Sequence, residues 1–372
     1  MTATLDRPDA EGAPEPGVRV TARTGDFRPT PSGWAARAAV PLGVLLVTTW
    51  YCLHYSQGRS DYLASALVIA VGALSLNVLV GYVGQISLGH HAFIGIGAFM
   101  AAYVMGRSGQ SFYVGLVAAA AIGTAQAVVL GLIALRVRGL YFALVTLSWG
   151  AVAENCIFRI RGFTGGGEGA NAPRPGGFTT DRGFLIMCAF ILTLVLLIDW
   201  RLMATKAGRA FQAIRESPAV AANYGVNVPL YTLYAFALSG FYAGVAGAIY
   251  ATRRTTIQAG DFTFATIALT YLIVTVVGGL RRRGGIVVFS VLYVLGGEYL
   301  PGIAQHLPLP GTLKANAGYL VQALSGVLAI LTLIFQPEGL GTFTAPMGRW
   351  LKGDRFHLGH GGGGAEGINV RP

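Results

Sequence analysis

The stretch NVLVGYVGQISLGHHAFIGIGAFMAA, residues 77–102, decides how the rest of the chain is read. An apolar run ends at Gly81, a short polar break covers 82–87, and a second apolar run laced with small residues follows. Ser87, Leu88, Gly89, His90 and His91 form the hinge between the two runs. Glycine has no Cβ, so Gly89, Gly95 and Gly97 leave room for another backbone or a small ligand to come close. Two imidazoles stand just inside sequence that is otherwise compatible with lipid. An ionisable residue at such a place is costly enough to mark a site.

Composition points the same way. Of 372 residues, 53% are hydrophobic and only 12% are charged, about half the charged share of a soluble globular protein. The 53 glycines keep no three-residue period, which excludes a collagen-like chain and fits helices packed closely in lipid. The net charge of +11 sits in short clusters between apolar runs. It lacks the aromatic-interleaved stripe of a nucleic-acid surface, so no nucleic-acid partner is expected. Cys52, Cys156 and Cys188 stand singly in apolar segments and read as small buried hydrophobes rather than metal or redox ligands.

Working outward, apolar runs recur at 34–54, 62–80, 86–105, 112–135, 140–158, 183–198, 230–250, 262–280, 285–300 and 319–335. Each is near the roughly 20 residues that a bilayer requires, giving about ten spans. The expected fold is all-α: one polytopic transmembrane domain over 34–335. A disordered tail precedes it at 1–33, and a Gly-rich tail with His357 and His360 follows at 336–372. Residues 162–182 hold too many Gly and Pro residues for a helix and form an external loop. Placing both termini in the cytoplasm puts Arg136, Arg138, Arg201, Lys206, Arg209, Arg215, the triplet Arg281, Arg282 and Arg283, Arg349 and Lys352 on the cytoplasmic side. That agrees with the positive-inside rule, with Arg159, Arg161, Arg253 and Arg254 as exceptions. FALVTLS at 142–148 echoes FATIALT at 264–270, the kind of pairing expected of an inverted repeat.

Residues 200–229 read WRLMATKAGRAFQAIRESPAVAANYGVNVP. Ala210, Phe211 and Ile214 share one helical face, and Arg209, Gln212 and Arg215 take the other side. Ser217 followed by Pro218 is a helix start, an oxygen cap and then a proline at the first position. Gly225 is placed to end the short helix that follows. The pattern is a helix, a turn and a shorter helix between two spans. By itself it fits either a stiff docking element or a connector lying on lipid headgroups.

Three stretches carry a resemblance: GYVGQISLGHHAFIGIGAFMAAYV at 81–104, TGGGEGANAP at 164–173, and GRAFQAIRESPAVAANYGVNVPLYTLYAFALSGFYAGVAGAIYA at 208–251. Together they resemble the LivM-type permeases, inner-membrane subunits of branched-chain amino acid ABC transporters, over roughly 62–340. The resemblance implies a multi-pass subunit in the bacterial cell inner membrane. It also implies a homologous second permease subunit, cytoplasmic ATP-binding subunits, and an external or periplasmic substrate-binding protein that the 162–182 loop would help receive. Residues 200–229 would then be the ATPase coupling region, with Arg209, Phe211, Ile214, Arg215, Glu216 and Gly225 its key positions. The chain holds no G-x-x-x-x-G-K-[ST] motif, so it is not expected to be an enzyme, and ATP and Mg are expected only on the partner ATPases. His90 aligns with the family histidine. His91 departs from the family's small residue, a change that would suit contact with a neighbouring subunit or headgroups.

A branched-chain amino acid combines an apolar side chain with a charged backbone, so its path needs small residues, apolar surface and a few polar groups or helix ends. Gly84, Gln85, Ser87, His90, Tyr141, Thr146, Glu154, Asn155, Thr263 and Thr266 are the candidates. Gln85 and Ser87 read equally well as helix caps, Thr146 as a residue bonding its own backbone, and Glu154 as a partner for Arg159. Urea and short-chain amides are the rival substrates. A membrane-embedded enzyme is disfavoured, because only His90, His91 and Glu154 titrate within the spans and no nucleophile stands beside them.

Overall fold

A computed structural model describes residues 57–306 apart from 138, together with a few positions at 43–46 and 323–334. Both tails, Cys52, Arg138, His357, His360 and most of the first and last expected spans lie outside the described residues. Helix α1 (Gln57–Asn77) runs on through a π-helical turn at Val78–Val83, and α2 (His90–Ala102) through another at Tyr103–Arg107. Helices α3 (Phe112–Ala134), α4 (Leu140–Asn155), α5 (Asp181–Met203), α6 (Lys206–Glu216), α7 (Pro218–Asn223) and α8 (Val228–Arg254) follow. A π-helical turn at Phe264–Ala268 leads into α9 (Leu269–Gly278), and α10 (Arg283–His306) ends the described bundle. A short antiparallel pair, β1 (Ala170–Asn171) with β2 (Thr256–Ile257), ties the 162–182 loop to the end of α8.

Among the described residues, five helices are long and apolar enough to cross a membrane: Ser60–Val83, Phe112–Ala134, Leu140–Arg159, Asp181–Met203 and Val228–Arg254. The segment that the sequence places from residue 86 behaves differently, because its helix begins only at His90. Gly84 takes φ +77° and sends its N–H back to the Leu79 carbonyl, closing the first helix, and Gln85 N donates to the same oxygen at 2.9 Å. The chain over 84–89 is therefore non-helical.

Helix α8 is the hub and packs on α1, α2 and α3. At its closest approaches the contacts are made by backbone. A Cβ on Gly244 would run into the Ala119 carbonyl and lie 2.8 Å from the Ala120 Cα. One on Gly97 would lie 2.8 Å from the Gly244 Cα, and one on Gly240 would strike the Gly123 carbonyl. Lipid tails are as apolar as leucine, so helices in a bilayer gain little from hydrophobicity and associate through close van der Waals contact that small residues permit. Toward the loop end of α2 the seam is filled by Phe99, Phe158 and Phe262, whose centroids lie 5.3–5.9 Å apart.

Each end of the bundle is tied by charge. At the loop end, Asp61 accepts from Arg253 at 2.7 Å and lies 3.8 Å from Arg174, which also pairs with Asp181 at 2.7 Å. Arg254 stands 3.4 Å from Asp261. Two of the four cations that the charge pattern leaves outside thus have carboxylate partners. At the α6 end, Asp199, 1% exposed, accepts from the Tyr82 hydroxyl at 2.6 Å and from Arg283.

Candidate functional site

The N-terminus of α2 lies inside the bundle rather than at its surface. Leu88 N donates to Thr146 Oγ1 at 3.0 Å, which draws the non-helical segment onto the flank of α4. A Cβ on Gly89 would collide with the Thr146 carbonyl, so only glycine lets the chain pass there. His90 Nε2 meets Ser75 Oγ at 2.5 Å. Ser75 Oγ donates to the Ser239 carbonyl at 2.9 Å, and Ser239 Oγ returns a bond to the Ser75 carbonyl at 2.9 Å. With the Ser75 proton committed, His90 Nε2–H is the donor, and His90 Nδ1 is left as a buried acceptor without a hydrogen-bond partner. Ser87 Oγ is buried without a partner as well, both absences being among the described residues.

His91 is fully buried beside α4, not turned to headgroups or to a neighbouring subunit. Its Nε2 stands 3.8 Å from Glu154 Oε2. Glu154 also accepts from the Phe264 N–H at 3.3 Å, and the Phe264 ring meets His91 edge-on at 6.1 Å. Glu154 thus faces His91 and the entry to α9, while Arg159 is exposed. The two echoing segments, 142–148 and 264–270, both border the start of α2, one through Thr146 and the other through Phe264.

The structure therefore gathers His90, Thr146 and Glu154 around one helix start. Gly84 is exposed, Gln85 is half-buried and Ser87 is buried. Tyr141 is 75% exposed on the outer side of α4, and the exposed Asn155 donates to its own helix at Ala151 O, 3.0 Å away. Thr263 and Thr266 cap one another at the entry to α9, with backbone-to-hydroxyl distances of 3.2 and 3.3 Å. Ser75, Ser239 and Phe264 complete the cluster with Gly150, whose Cβ would strike the His91 ring; none of them is a candidate from sequence. Lone serines in apolar runs were the available signal, but many such serines bond only their own helix. Among the described residues no group of three or more His, Cys, Asp or Glu side chains is placed to hold a metal ion.

A second candidate region lies at the other end of the break. The apolar face of α6 packs inward: Phe211 and Ile214 are buried, and Phe211 meets the rings of Tyr231 and Tyr234 of α8 at 6.4 and 6.0 Å. Arg215 donates to the Gly81 carbonyl at the base of the break, and its Cγ is 3.2 Å from where a Cβ on Gly84 would stand. Burial, and then the charge of Arg281, lower the Arg215 pKa from its ordinary value. Ser217 Oγ caps α7 by accepting from Val220 N at 3.4 Å, and Gly225 closes it at φ +79°. Arg209 and Glu216 are exposed. So are Val220 and Tyr224, four residues apart, with Tyr224 84% exposed. Because α6 uses its apolar face internally, Val220 on α7 and Tyr224 just past its end are the exposed large apolar residues of this connector, a point the helical pattern of α6 alone does not reveal.

Residues 58–335 match a family model described as branched-chain amino acid transport system / permease component. The high-affinity branched-chain amino acid transport system permease protein LivM of Salmonella typhimurium is 27% identical over 333 residues, 82% of this chain and 75% of that protein. LivM of Escherichia coli matches with the same identity and coverage. The probable branched-chain amino acid transport permease protein LivH of Methanocaldococcus jannaschii is 30% identical over 164 residues, 43% of this chain and 48% of that protein. No solved structure matches the chain.

Proposed function

The chain belongs to the permease-component family of branched-chain amino acid transport systems, and from that premise we propose how it works: as the membrane-spanning translocation subunit of an ATP-binding cassette importer for branched-chain, hydrophobic amino acids. It pairs with a homologous second permease subunit and takes substrate from an external binding protein. It is driven by cytoplasmic ATP-binding subunits that hold the ATP and Mg, and it lies in the bacterial inner membrane with both termini cytoplasmic. The chain itself is a transport subunit and not an enzyme.

The observation that carries this reading is the family match over residues 58–335; the coupling step in it is argued from the Arg215 guanidinium bonded to the Gly81 carbonyl. A partner that seats Val220 and Tyr224 moves α7 and α6 as one stiff piece, and Arg215 passes that displacement to the base of the 84–89 break. The other end of the break is the start of α2. Its backbone N–H groups carry partial positive charge and would favour a substrate carboxylate, with His90 and Ser87 offering further polar atoms. His91, the next residue, and Glu154 beside it link the same spot to the entry of α9. Alternating access would follow from motion of α2 against α4 and α9.

The test is reconstitution of the chain with its second permease, ATPase and binding-protein subunits, with labelled leucine, isoleucine, valine, urea and acetamide. ATP-dependent uptake of leucine or valine is expected. Uptake of urea or acetamide alone would move the specificity to amides, and uptake driven by an ion gradient without ATP would overturn the reading. In the same system, Tyr224→Ala with Val220→Asp is expected to weaken ATPase association tenfold or more, as loss of a central aromatic anchor does, while membrane insertion is retained.

A further inference from the structure

At the loop end a cavity of about 280 Å³ opens between α1, the last turn of α8, the segment 259–271 and α10. Small-molecule sites start at roughly 300 Å³, so it has the size of a single amino acid rather than a peptide. One wall is apolar, formed by Val68, Ile69, Ile267 and the Tyr271 ring. The rest of the wall carries Arg253, Arg254 and Asp261 among its polar side chains.

The charges on that wall differ in how firmly they are held. Arg253 is committed to Asp61 at 2.7 Å. Arg254 is shared between the Tyr250 side chain and Asp261, the latter at 3.4 Å with side chains 51% and 22% exposed. Asp261 Oδ2 is taken by the Gln258 N–H at 2.9 Å, which leaves Oδ1 facing Arg254. A loose, half-hydrated ion pair contributes little to stability, and an ammonium and a carboxylate on one small molecule can replace it with two charge-assisted contacts. The turn that sets the pair is strained: Thr255, a β-branched residue, leaves α8 at φ +62°, a conformation such residues rarely adopt.

The segment 259–268 has two faces. Gly260, Asp261, Thr266 and Ile267 line the cavity, while the Phe264 N–H holds Glu154 and the Phe264 ring meets His91. We propose that this cavity is the receiving site for the free zwitterionic amino acid, Asp261 taking its ammonium and Arg254 its carboxylate against the Val68 and Ile69 wall. The segment 259–268 is then the partition between the receiving site and the start of α2. This rests on the importer reading and adds where the substrate waits and which charges select it.

The test measures saturable binding of labelled leucine to the assembled permease and ATPase complex without binding protein, beside ATP-driven uptake in the complete system. Asp261→Asn keeps an oxygen for the Gln258 N–H, so the turn is retained. Asp261→Asn and Arg254→Gln are each expected to raise the leucine Kd tenfold or more. Thr270→Trp, which fills the cavity without touching the charges, is expected to do the same. The single-charge analogues 4-methylpentanoate and 3-methylbutylamine are expected to compete at least tenfold more weakly than leucine. Leucine binding unchanged in both charge variants, or no saturable binding by a wild-type complex that still imports leucine, would overturn this proposal alone. Failure of the wild-type chain to import leucine with ATP would overturn the importer reading and this site with it.

Discussion

At the residue scale, one carboxylate organises the α6 end of the bundle. Asp199 lies near the end of α5 yet holds Tyr82 from the tail of α1 and Arg283 from the head of α10, and Arg283 reaches the Asp199 carbonyl as well, at 3.1 Å. Removing one member of a buried ion pair leaves the other charge uncompensated, which costs about 3–5 kcal/mol. Asp199→Ala is therefore expected to lower the thermal unfolding midpoint of the detergent-solubilised protein sharply. Tyr82→Phe, which deletes one hydrogen bond, is expected to cost only about 1 kcal/mol. Equal effects of the two would remove Asp199 from this role. From sequence, Asp199 reads only as the residue closing an apolar run, because its partners are 117 and 84 positions away. Glu154 illustrates the same limit. Sequence offered Arg159, five residues on, whereas the fold supplies His91 and a backbone N–H 110 residues distant.

Among elements, the contact of α8 with α2 and α3 is made where neither helix has side chains to interpose. Gly244→Val would drive a branched side chain into the Ala119 carbonyl and the Ala120 Cα. Backbone on both sides cannot rotate away as a side chain can, so the cost is at least the 1–3 kcal/mol typical of overpacking. Loss of the folded monomer on size exclusion is expected for Gly244→Val. Gly176→Ala, with open space around it, should behave as wild type, and a Gly244→Val protein as stable as wild type would refute this packing. Much of this was legible beforehand. Gly89, Gly95 and Gly97 were read as points of close approach, and they meet Thr146, Phe158 and Gly244. The polar break at 82–87 and the Ser217 and Pro218 start of α7 were also visible. The depth at which α2 begins was not, because it depends on the Leu88 bond to Thr146, a contact between segments 58 residues apart.

For the molecule as a whole, orientation is the property on which the importer mechanism depends, and a tally of cations decides it poorly. Arg107, Arg159, Arg161, Arg174, Arg182, Arg253 and Arg254 stand at the loop end, close to parity with the Lys and Arg residues at the α6 end. Arg174 and Arg253 are paired with carboxylates and Arg107 donates to the Gly162 carbonyl, whereas Lys206 and Arg209 are exposed beside the α7 surface. Exposed cations stand beside α7, where anionic lipid or a partner can reach them, and Arg159 and Arg161 are exposed at the loop end. The importer reading requires α6 and α7 in the cytoplasm, where ATP-binding subunits can reach them. The measurement is labelling by a membrane-impermeant maleimide after replacement of Cys52, Cys156 and Cys188. Thr179→Cys, in the exposed loop, is expected to react in spheroplasts, and Asn223→Cys, at the exposed end of α7, only after permeabilisation. The reverse pattern would put the Arg215 linkage on the side without ATP, and no ATPase could then act on the break through α6.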